Sequence, residues 1–167
     1  MSVPKSVIKK LPRLTPDRSL DSLSLGFLKT LEAEGKFSGE IHADFPTRLI
    51  HATDNSVYQV MPRAVLQPRS SDDINVVMEM AGRDKFSEVK ITPRGGGTGT
   101  NGQSLNNTII LDTSKHLNNI LGFDAKNGLV HVQPGVVLDQ LNAWLKPHGV
   151  FFPPAVSTAS RATIGGM

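Results

Sequence analysis

The stretch VKITPRGGGTGTNGQS, residues 89–104, runs from an apolar-alternating segment directly into a loop that contains five glycines. Val89 to Thr92 is predicted to form a strand. Ala64 to Gln67 is a short apolar run that predicts an earlier strand, and Ser70 or Ser71 begins a helix between the two. The apolar face of this helix is predicted to contain Ile74, Val77, Met78 and Ala81.

This strand–helix–strand unit predicts two parallel strands that are neighbours in one sheet, because such crossovers are right-handed and usually connect adjacent strands. The glycine-rich loop then lies at the carboxyl end of the second strand. Open α/β sheets bind ligands at this edge, so the position of the loop favours a ligand site.

The segments before and after this unit contain further regular elements. Leu23, Phe27 and Leu31 predict an amphipathic helix that Ser22 caps and Gly35 ends. The punctuation of residues 37–63 by Asp, Asn, Ser and Pro argues against a long element there. Thr108 to Asp112 reads as another strand.

The last part of the chain is predicted to form a hairpin and a helix. Residues 117–135 alternate in hydrophobicity around a turn at Lys126-Asn127-Gly128. The helix that follows ends at Pro147 and Gly149, and Trp144 on it is expected to pack in the core. Its apolar face contains Leu138, Leu141 and Leu145. The order predicts an α/β piece that continues into an α+β piece.

The glycine loop does not fit either common phosphate motif. Gly97, Gly99 and Gly102 match G-x-G-x-x-G, but the chain passes into the strand TIILD after an interval too short for the helix that a Rossmann site needs. Gln103 stands where a P-loop has its lysine. Consecutive glycines still let backbone N–H groups converge on an anion. The neutral donors nearby are Thr98, Thr100, Asn101 and Ser104.

The alternative for this loop is a tightly turning surface loop, which uses the same residue types. A second stretch, FFPPAVSTASRATIGG at residues 151–166, favours the ligand site, because it again combines prolines, hydroxyls and a glycine pair.

Four stretches together resemble the FAD-binding domain of the vanillyl-alcohol oxidase or p-cresol methylhydroxylase type. They are DNSVYQVMPRAVLQPRSSDDI, TPRGGGTGTNGQSLN, VHVQPGVVLDQLNAWLKPHG and FPPAVSTASRATIGGM, and they lie within residues 54–167. Their wording is most similar to large bacterial FAD-linked dehydrogenases of the D-2-hydroxyglutarate dehydrogenase type. The resemblance implies an α+β fold, in which a parallel βαβ subdomain is followed by the start of a mixed or antiparallel one.

The resemblance divides the chain at residue 54. Residues 1–53 are expected to be a basic leader and an amphipathic helix, and residues 54–167 an FAD-binding domain that is incomplete at its C-terminal end. It implies a pyrophosphate loop of Arg94, Gly95, Gly96, Gly97, Thr98, Gly99, Asn101 and Gly102. It implies flavin-side contacts from Pro153, Ser157, Thr158, Ala162, Thr163, Gly165 and Gly166.

The resemblance also implies the chemistry. The intact protein is expected to oxidise a small D-2-hydroxy acid, with D-2-hydroxyglutarate as the first candidate, by hydride transfer to FAD. Thr98 occupies the position of the histidine that tethers FAD in some relatives, so the cofactor is expected to be non-covalent. Catalytic residues are expected beyond Met167. The histidines show no ligand spacing, so no metal site is assigned, and with no cysteine present an iron–sulfur cluster is expected only in further chain.

Composition and charge argue against a membrane protein, a secreted protein and a nucleic-acid-binding protein. No apolar run reaches the roughly 18 residues of a membrane span, and no secretory leader is evident, so a cytoplasmic protein is expected. The net charge of +3 is concentrated in the leader, at Lys5, Lys9, Lys10, Arg13 and Arg18. No interleaved aromatics support nucleic-acid binding.

Three alternatives to this enzyme remain open at this point. They are a non-catalytic phosphate- or nucleotide-binding module, a purely structural domain, and an enzyme of the UDP-N-acetylmuramate reductase type. Self-association through uncovered apolar faces is a further expectation.

Overall fold

A computed structural model of the chain describes residues 20–167; the basic leader lies outside the described residues. The helices are α1 (Ser22–Glu34), α2 (Phe45–Ile50), α3 (Ser71–Ala81) and α4 (Leu138–Leu145). The strands are β1 (Glu40–His42), β2 (Ala64–Gln67), β3 (Ile91–Arg94), β4 (Ile109–Asp112), β5 (Ile120–Asp124) and β6 (Leu129–Val132). Short 3-10 turns occupy residues 84–86, 146–148 and 164–166.

Four strands form one sheet in the order β1-β2-β4-β3. Strands β2, β4 and β3 are parallel, and β1 is antiparallel to β2. The prediction that β2 and β3 are neighbours was therefore wrong, because β4 lies between them. All four residues of β4 are buried, which suits a central strand. Strand β3 contains Pro93, which has no N–H to donate, and such a strand belongs at an edge.

Helices α1 and α3 pack with the sheet around one apolar core. The side chain of Phe27 on α1 is fully buried, and its ring meets that of Phe86 edge to face with centroids 5.2 Å apart. The predicted bounds of α1 are confirmed at Gly35, which is left-handed with φ +63°. Its cap is Asp21 rather than Ser22, since the Asp21 carboxylate accepts the amide hydrogen of Ser24 at 2.7 Å.

Helix α3 begins after Ser70, as predicted, but its buried face differs from the predicted one. Val77 and Met80 are buried, whereas Met78 is 53% exposed. Asp73 also belongs to the buried face, where its carboxylate accepts the amide hydrogens of Ser38 and Arg69 at 2.7 Å each. A polar residue on the buried face is invisible to a search for apolar periodicity.

The hairpin and the last helix form a second, smaller core. Strands β5 and β6 pair antiparallel across the predicted turn, where Gly128 has φ +65°. Leu138, Leu141 and Leu145 are all buried, as predicted. The prediction for Trp144 was wrong: its side chain is 38% exposed and its ring lies 5.1 Å from that of His148, outside the face that the three leucines occupy.

One strand boundary and one irregular segment also differ from the predictions. Strand β3 starts at Ile91, two residues later than predicted. Residues 37–63 contain no long element, as expected, but they do contain β1 and the six-residue helix α2. Asp44 caps α2 by accepting the amide hydrogen of Thr47 at 2.9 Å.

Replacement of Phe27 by Ala is expected to lower the free energy of unfolding by about 3–5 kcal/mol, because it empties a fully buried site next to Phe86. Urea denaturation checks this value. Leu25→Ala, on the same helix but at a side chain that is 38% exposed, is the matched control and should cost clearly less. Equal losses in the two variants would contradict this assignment of the core.

Candidate functional site

A cleft of about 670 Å³ lies between the glycine loop after β3 and the segment that ends the chain. Nine of the predicted site residues line it: Gly95, Gly97, Thr98, Gly99, Ser157, Thr158, Ala162, Thr163 and Gly166. A second recess of about 230 Å³ adjoins it and is lined by Arg94 and Gly96. The two stretches that the sequence singled out therefore face each other across one cavity.

Four predicted residues line neither cavity: Asn101, Gly102, Pro153 and Gly165. Two further lining residues, Thr100 and Ser104, were predicted as neutral donors of the loop. The other lining residues were not predicted: Asn55, Pro93, Gln103, Phe152, Pro154, Val156 and Met167. Most of them are sequence neighbours of predicted residues. Asn55 lies about forty residues before the loop, and no local signal points to it.

The backbone of Gly95 and Gly96 lies against the opposite wall with no room for a side chain. A Cβ atom at Gly95 would lie 2.0 Å from Thr163 Oγ1, and one at Gly96 would lie 2.1 Å from the carbonyl oxygen of Arg161. Thr163 is buried, so its side chain has little freedom to move away. Glycine at these two positions is what lets the loop contact the last segment.

The last segment is attached to the rest of the second core by main-chain hydrogen bonds. The amide of Leu138 donates to Ala162 O at 3.0 Å, and that of Ile164 donates to Val136 O at 2.8 Å. The amide of Gly165 donates to Pro134 O at 2.8 Å, and a Cβ there would lie 2.5 Å from Pro134 Cβ. Gly165 thus positions the wall although it does not line the cleft.

The glycine loop has the geometry of neither phosphate motif that the sequence partly matched. The chain passes from β3 to β4 without a helix. Gly97 has φ +62° and Gly102 has φ +73°, which are left-handed conformations that favour glycine. An irregular loop of this kind can present backbone N–H groups to an anion, as the sequence predicted.

Arg94, at the end of β3, lies beneath the loop. Its Nη2 donates to Thr53 O at 2.8 Å, and a Cβ at Gly97 would lie 2.5 Å from that same nitrogen. Burial lowers the pKa of the guanidinium, and the nearby carboxylates of Asp112 and Asp54 act in the opposite direction. The predicted contact of Arg94 with an anion stays a prediction.

Asp112 is a buried carboxylate at the end of β4, in register with Arg94 on β3. Burial by itself would raise its pKa, but hydrogen bonds from His51, Ser114 and Gln67 outweigh that effect and hold the pKa at about 2. The amide of Gln67 donates to Asp112 Oδ2 at 3.0 Å. Asp112 is therefore ionised at neutral pH, next to the cation beneath the glycine loop.

Three of the five histidines occupy polar contacts that need no ligand. His42 and His116 contact the carboxylate of Glu40 at 3.2 and 2.8 Å, and His51 contacts that of Asp112 at 3.4 Å. Within residues 20–167, no group of three or more His, Cys, Asp or Glu side chains is placed to hold a metal ion. Within the same residues, no helix combines the length and hydropathy that a bilayer crossing requires.

The sequence profile of the FAD binding domain family matches residues 62–167, a range that includes both walls of the cleft. The chain belongs to this family. Membership confirms FAD as the cofactor that the sequence predicted.

Known proteins similar to this FAD-binding chain include two bacterial D-2-hydroxyglutarate dehydrogenases. It is 54% identical over 141 residues to that of Pseudomonas putida, which covers 84% of this chain and 14% of that protein. It is 46% identical over 157 residues to that of Escherichia coli, which covers 94% of this chain and 15% of that protein. The chain thus spans about 15% of the length of these relatives.

Solved structures confirm the predicted fold of the FAD-binding chain. An alkyldihydroxyacetonephosphate synthase matches 99% of this chain and 34% of its own with a TM-score of 0.71 at 18% identity. A p-cresol methylhydroxylase with bound substrate matches 88% of this chain and 29% of its own with a TM-score of 0.67 at 14% identity. The parallel sheet followed by an antiparallel hairpin is the α+β arrangement that the resemblance implied.

Gly95→Ala is expected to lower the free energy of unfolding by about 1–3 kcal/mol, because the new Cβ overlaps Thr163 Oγ1. Thr163→Ala in the same chain should recover part of that loss, which a double-mutant cycle in urea measures. Gly122→Ala is the control, since a Cβ there meets no atom within 4 Å. Additive effects of the changes at 95 and 163 would contradict the contact.

The unfolding free energy of Asp112→Asn is expected to lie about 2 kcal/mol below that of the wild type at neutral pH. The pKa of Asp112 is about 2 in the folded chain, below its ordinary value of 3.8. Its stabilising contribution is therefore complete above about pH 4 and lost as the pH falls toward about 2. Denaturation at a series of pH values should show the difference between the two proteins narrowing in that window. A difference that does not change with pH would show that the charge of Asp112 is not its source.

Proposed function

We propose that the chain is the FAD-binding portion of a longer dehydrogenase that oxidises a small D-2-hydroxy acid, with D-2-hydroxyglutarate as the first candidate. The observation that carries the proposal is the cleft that two glycine-containing walls form within the region of the family match. The similarity to two D-2-hydroxyglutarate dehydrogenases supports the substrate class.

The residues of the cleft fit FAD. A volume of about 670 Å³ lies within the roughly 300–1,000 Å³ of small-molecule sites. The glycine loop offers backbone N–H groups and the half-buried cation of Arg94 for a pyrophosphate. The opposite wall offers the hydroxyls of Ser157, Thr158 and Thr163, together with the apolar side chain of Phe152. When bound, FAD would supply the acceptor for the hydride that leaves C2 of the hydroxy acid.

Within this proposal the predicted residues divide by position. The nine that line the cleft contact FAD directly, and Arg94 and Gly96 support the pyrophosphate from the adjoining recess. Asn101, Gly102, Pro153 and Gly165 shape the two walls. Thr98 offers no atom for a covalent flavin bond of the histidine type, so the cofactor is dissociable.

The wider assignments are part of the same proposal. Residues 54–167 are assigned to the FAD-binding domain, and residues 1–53 to the leader and the first helix, with β1 and α2 between that helix and residue 54. Catalytic side chains and the electron acceptor belong to further polypeptide. The protein works in the cytoplasm. Exposed apolar side chains such as Leu121 and Phe151 favour self-association of the chain. A sharp monomer peak in light scattering across protein concentrations would count against self-association.

A second candidate function is a phosphate- or nucleotide-binding module without catalysis. It is favoured by the loop alone, since the backbone donors there do not distinguish FAD from ADP. The two functions differ at the Phe152 wall, which only the flavin end of FAD would use.

An equilibrium titration of the 167-residue chain with FAD, followed by flavin fluorescence, tests the proposed function. Saturable binding that ADP competes for only weakly is expected, because ADP lacks the flavin contacts. Gly97→Ala should weaken binding by roughly tenfold or more, since it strains a left-handed residue of the loop and places a methyl group against Arg94.

Gly128→Ala is the matched control for Gly97→Ala. Gly128 has nearly the same φ, +65°, but it lies in the hairpin turn with no atom within 4 Å of a Cβ. Its backbone penalty should be similar and its FAD affinity unchanged. Equal affinities for FAD and ADP would favour the non-catalytic module. If the wild type bound no FAD, the proposal that the cleft is an FAD site would be rejected.

A further inference from the structure

A three-residue segment between α2 and β2, Thr53 to Asn55, contacts the glycine loop at several points. We refer to these residues as the brace. The carbonyl of Thr53 accepts from Arg94 Nη2 at 2.8 Å, and the amide of Asn55 donates to Gly97 O at 3.1 Å. The brace is itself held by a short bridge between Thr53 and Gln59 and by the amide of Val60, which donates to Ala52 O at 2.9 Å.

Asp54 is the charged residue of the brace, and its carboxylate connects the brace to the loop. Oδ1 accepts the amide hydrogen of Ser56 at 2.8 Å, which fixes the turn of the brace. Oδ2 accepts from the hydroxyl of Ser104 at 3.0 Å, and Ser104 is buried at the far end of the loop. One carboxylate thus links its own turn to a residue fifty positions later.

The contact with Ser104 continues to the cation beneath the loop. Arg94 Nη1 lies 3.5 Å from the oxygen of Ser104, which can accept from the guanidinium while its own hydrogen goes to Asp54. Arg94 and Ser104 are the two residues between which the glycine loop extends. The carboxylate of Asp54 also lowers the energy of the half-buried charge on Arg94.

A loop built from glycines loses much conformational freedom when it adopts one shape. If a ligand had to impose that shape, the entropic cost would reduce its affinity. The contacts of the brace impose it beforehand at the start of the loop through Arg94, in the middle through Gly97 and at the end through Ser104.

We propose that Asp54 is a positioning residue that holds the glycine loop in its anion-binding shape through Ser104 and Arg94. Asp54 lines the small recess beneath the loop and not the main cleft, so it acts through the loop and not on the flavin. Its effect on FAD rests on the proposed function, whereas its effect on the loop is a property of the chain alone.

Hydrogen exchange on the 167-residue chain without ligand tests the loop directly. The amides of Asn55 and Leu105 report the loop, because they donate to Gly97 O at 3.1 Å and Gly102 O at 3.0 Å. The amides of Ile109 and Gln133 are references, because they donate to Lys90 O and Asn119 O away from the brace. Rates are compared after correction for the intrinsic effect of the neighbouring residue.

In Asp54→Ala, exchange at Asn55 and Leu105 is expected to rise by roughly tenfold or more while the reference amides keep their rates. Asp54→Asn retains an acceptor for Ser56 but loses the charge, so it should fall between Asp54→Ala and the wild type. Asp124→Ala is the matched control: Asp124 also accepts amide hydrogens in its own turn, from Lys126 and Asn127, but far along the chain in the hairpin.

The FAD titration forms the second arm. Asp54→Ala should weaken FAD binding by roughly 10- to 100-fold, the size expected for losing hydrogen bonds to a charged group, with Asp54→Asn again intermediate and Asp124→Ala unchanged. Unchanged exchange at Asn55 and Leu105, or an equal rise at the reference amides, would overturn the positioning role. If the wild type binds no FAD, the proposed function fails, and the exchange arm still decides the role of Asp54.

Discussion

The backbone at Gly95 and Gly96 lies against residues 161–163 with no space for a β carbon, and the cleft exists because of this contact. This contact brings the carboxyl end of strand β3 together with the last segment, which is hydrogen-bonded to the second, smaller core. Any side chain at either glycine would push the two walls apart. The two glycines have no side chains with which to stabilise this contact. The last segment is held by its main-chain hydrogen bonds with residues 134–138, and the loop side is held by the hydrogen bond of Arg94 with Thr53.

The three parallel strands all end in polar residues at the edge that carries the loop. They are Gln67 on β2, Asp112 on β4 and Arg94 on β3, and Asp112 contacts or attracts both of the others. Strands β2 and β4 are apolar until that last residue, so along these two strands the sheet changes from core to a polar layer within one position. This polar layer lies on the sheet side of the loop, whereas three of the loop glycines line the cleft.

Local patterns in the sequence predicted much of this molecule. The hairpin turn, the buried face of α4 and the strands β2 and β4 each depend on residues close together in the chain. The order of the sheet was wrong because the position of β4 between β2 and β3 depends on which strand is buried on both faces. The errors at Met78 and Trp144 have the same origin, since spacing identifies a face but not which of two nearby residues tertiary contacts cover.

In the candidate site too, local sequence features were predicted and contacts between distant segments were missed. The two walls were identified because the glycine and hydroxyl content of their sequences is unusual, and the family resemblance then implied the individual contact residues. Asn55 was missed because its contact with Gly97 joins segments about forty residues apart, and neither residue type signals it. The position of Arg94 beneath the loop was also missed, because no local signal indicates its hydrogen bond to Thr53, which lies about forty residues earlier in the chain.

Pro93 has a consequence for the sheet as a whole. An edge strand normally exposes a row of amide hydrogens that can recruit a strand from another molecule. In β3 one of those hydrogens is missing, at the residue directly before Arg94 and the loop. The same residue lines the cleft, so the sheet resists growth by strand addition at the edge where it must remain open to a ligand.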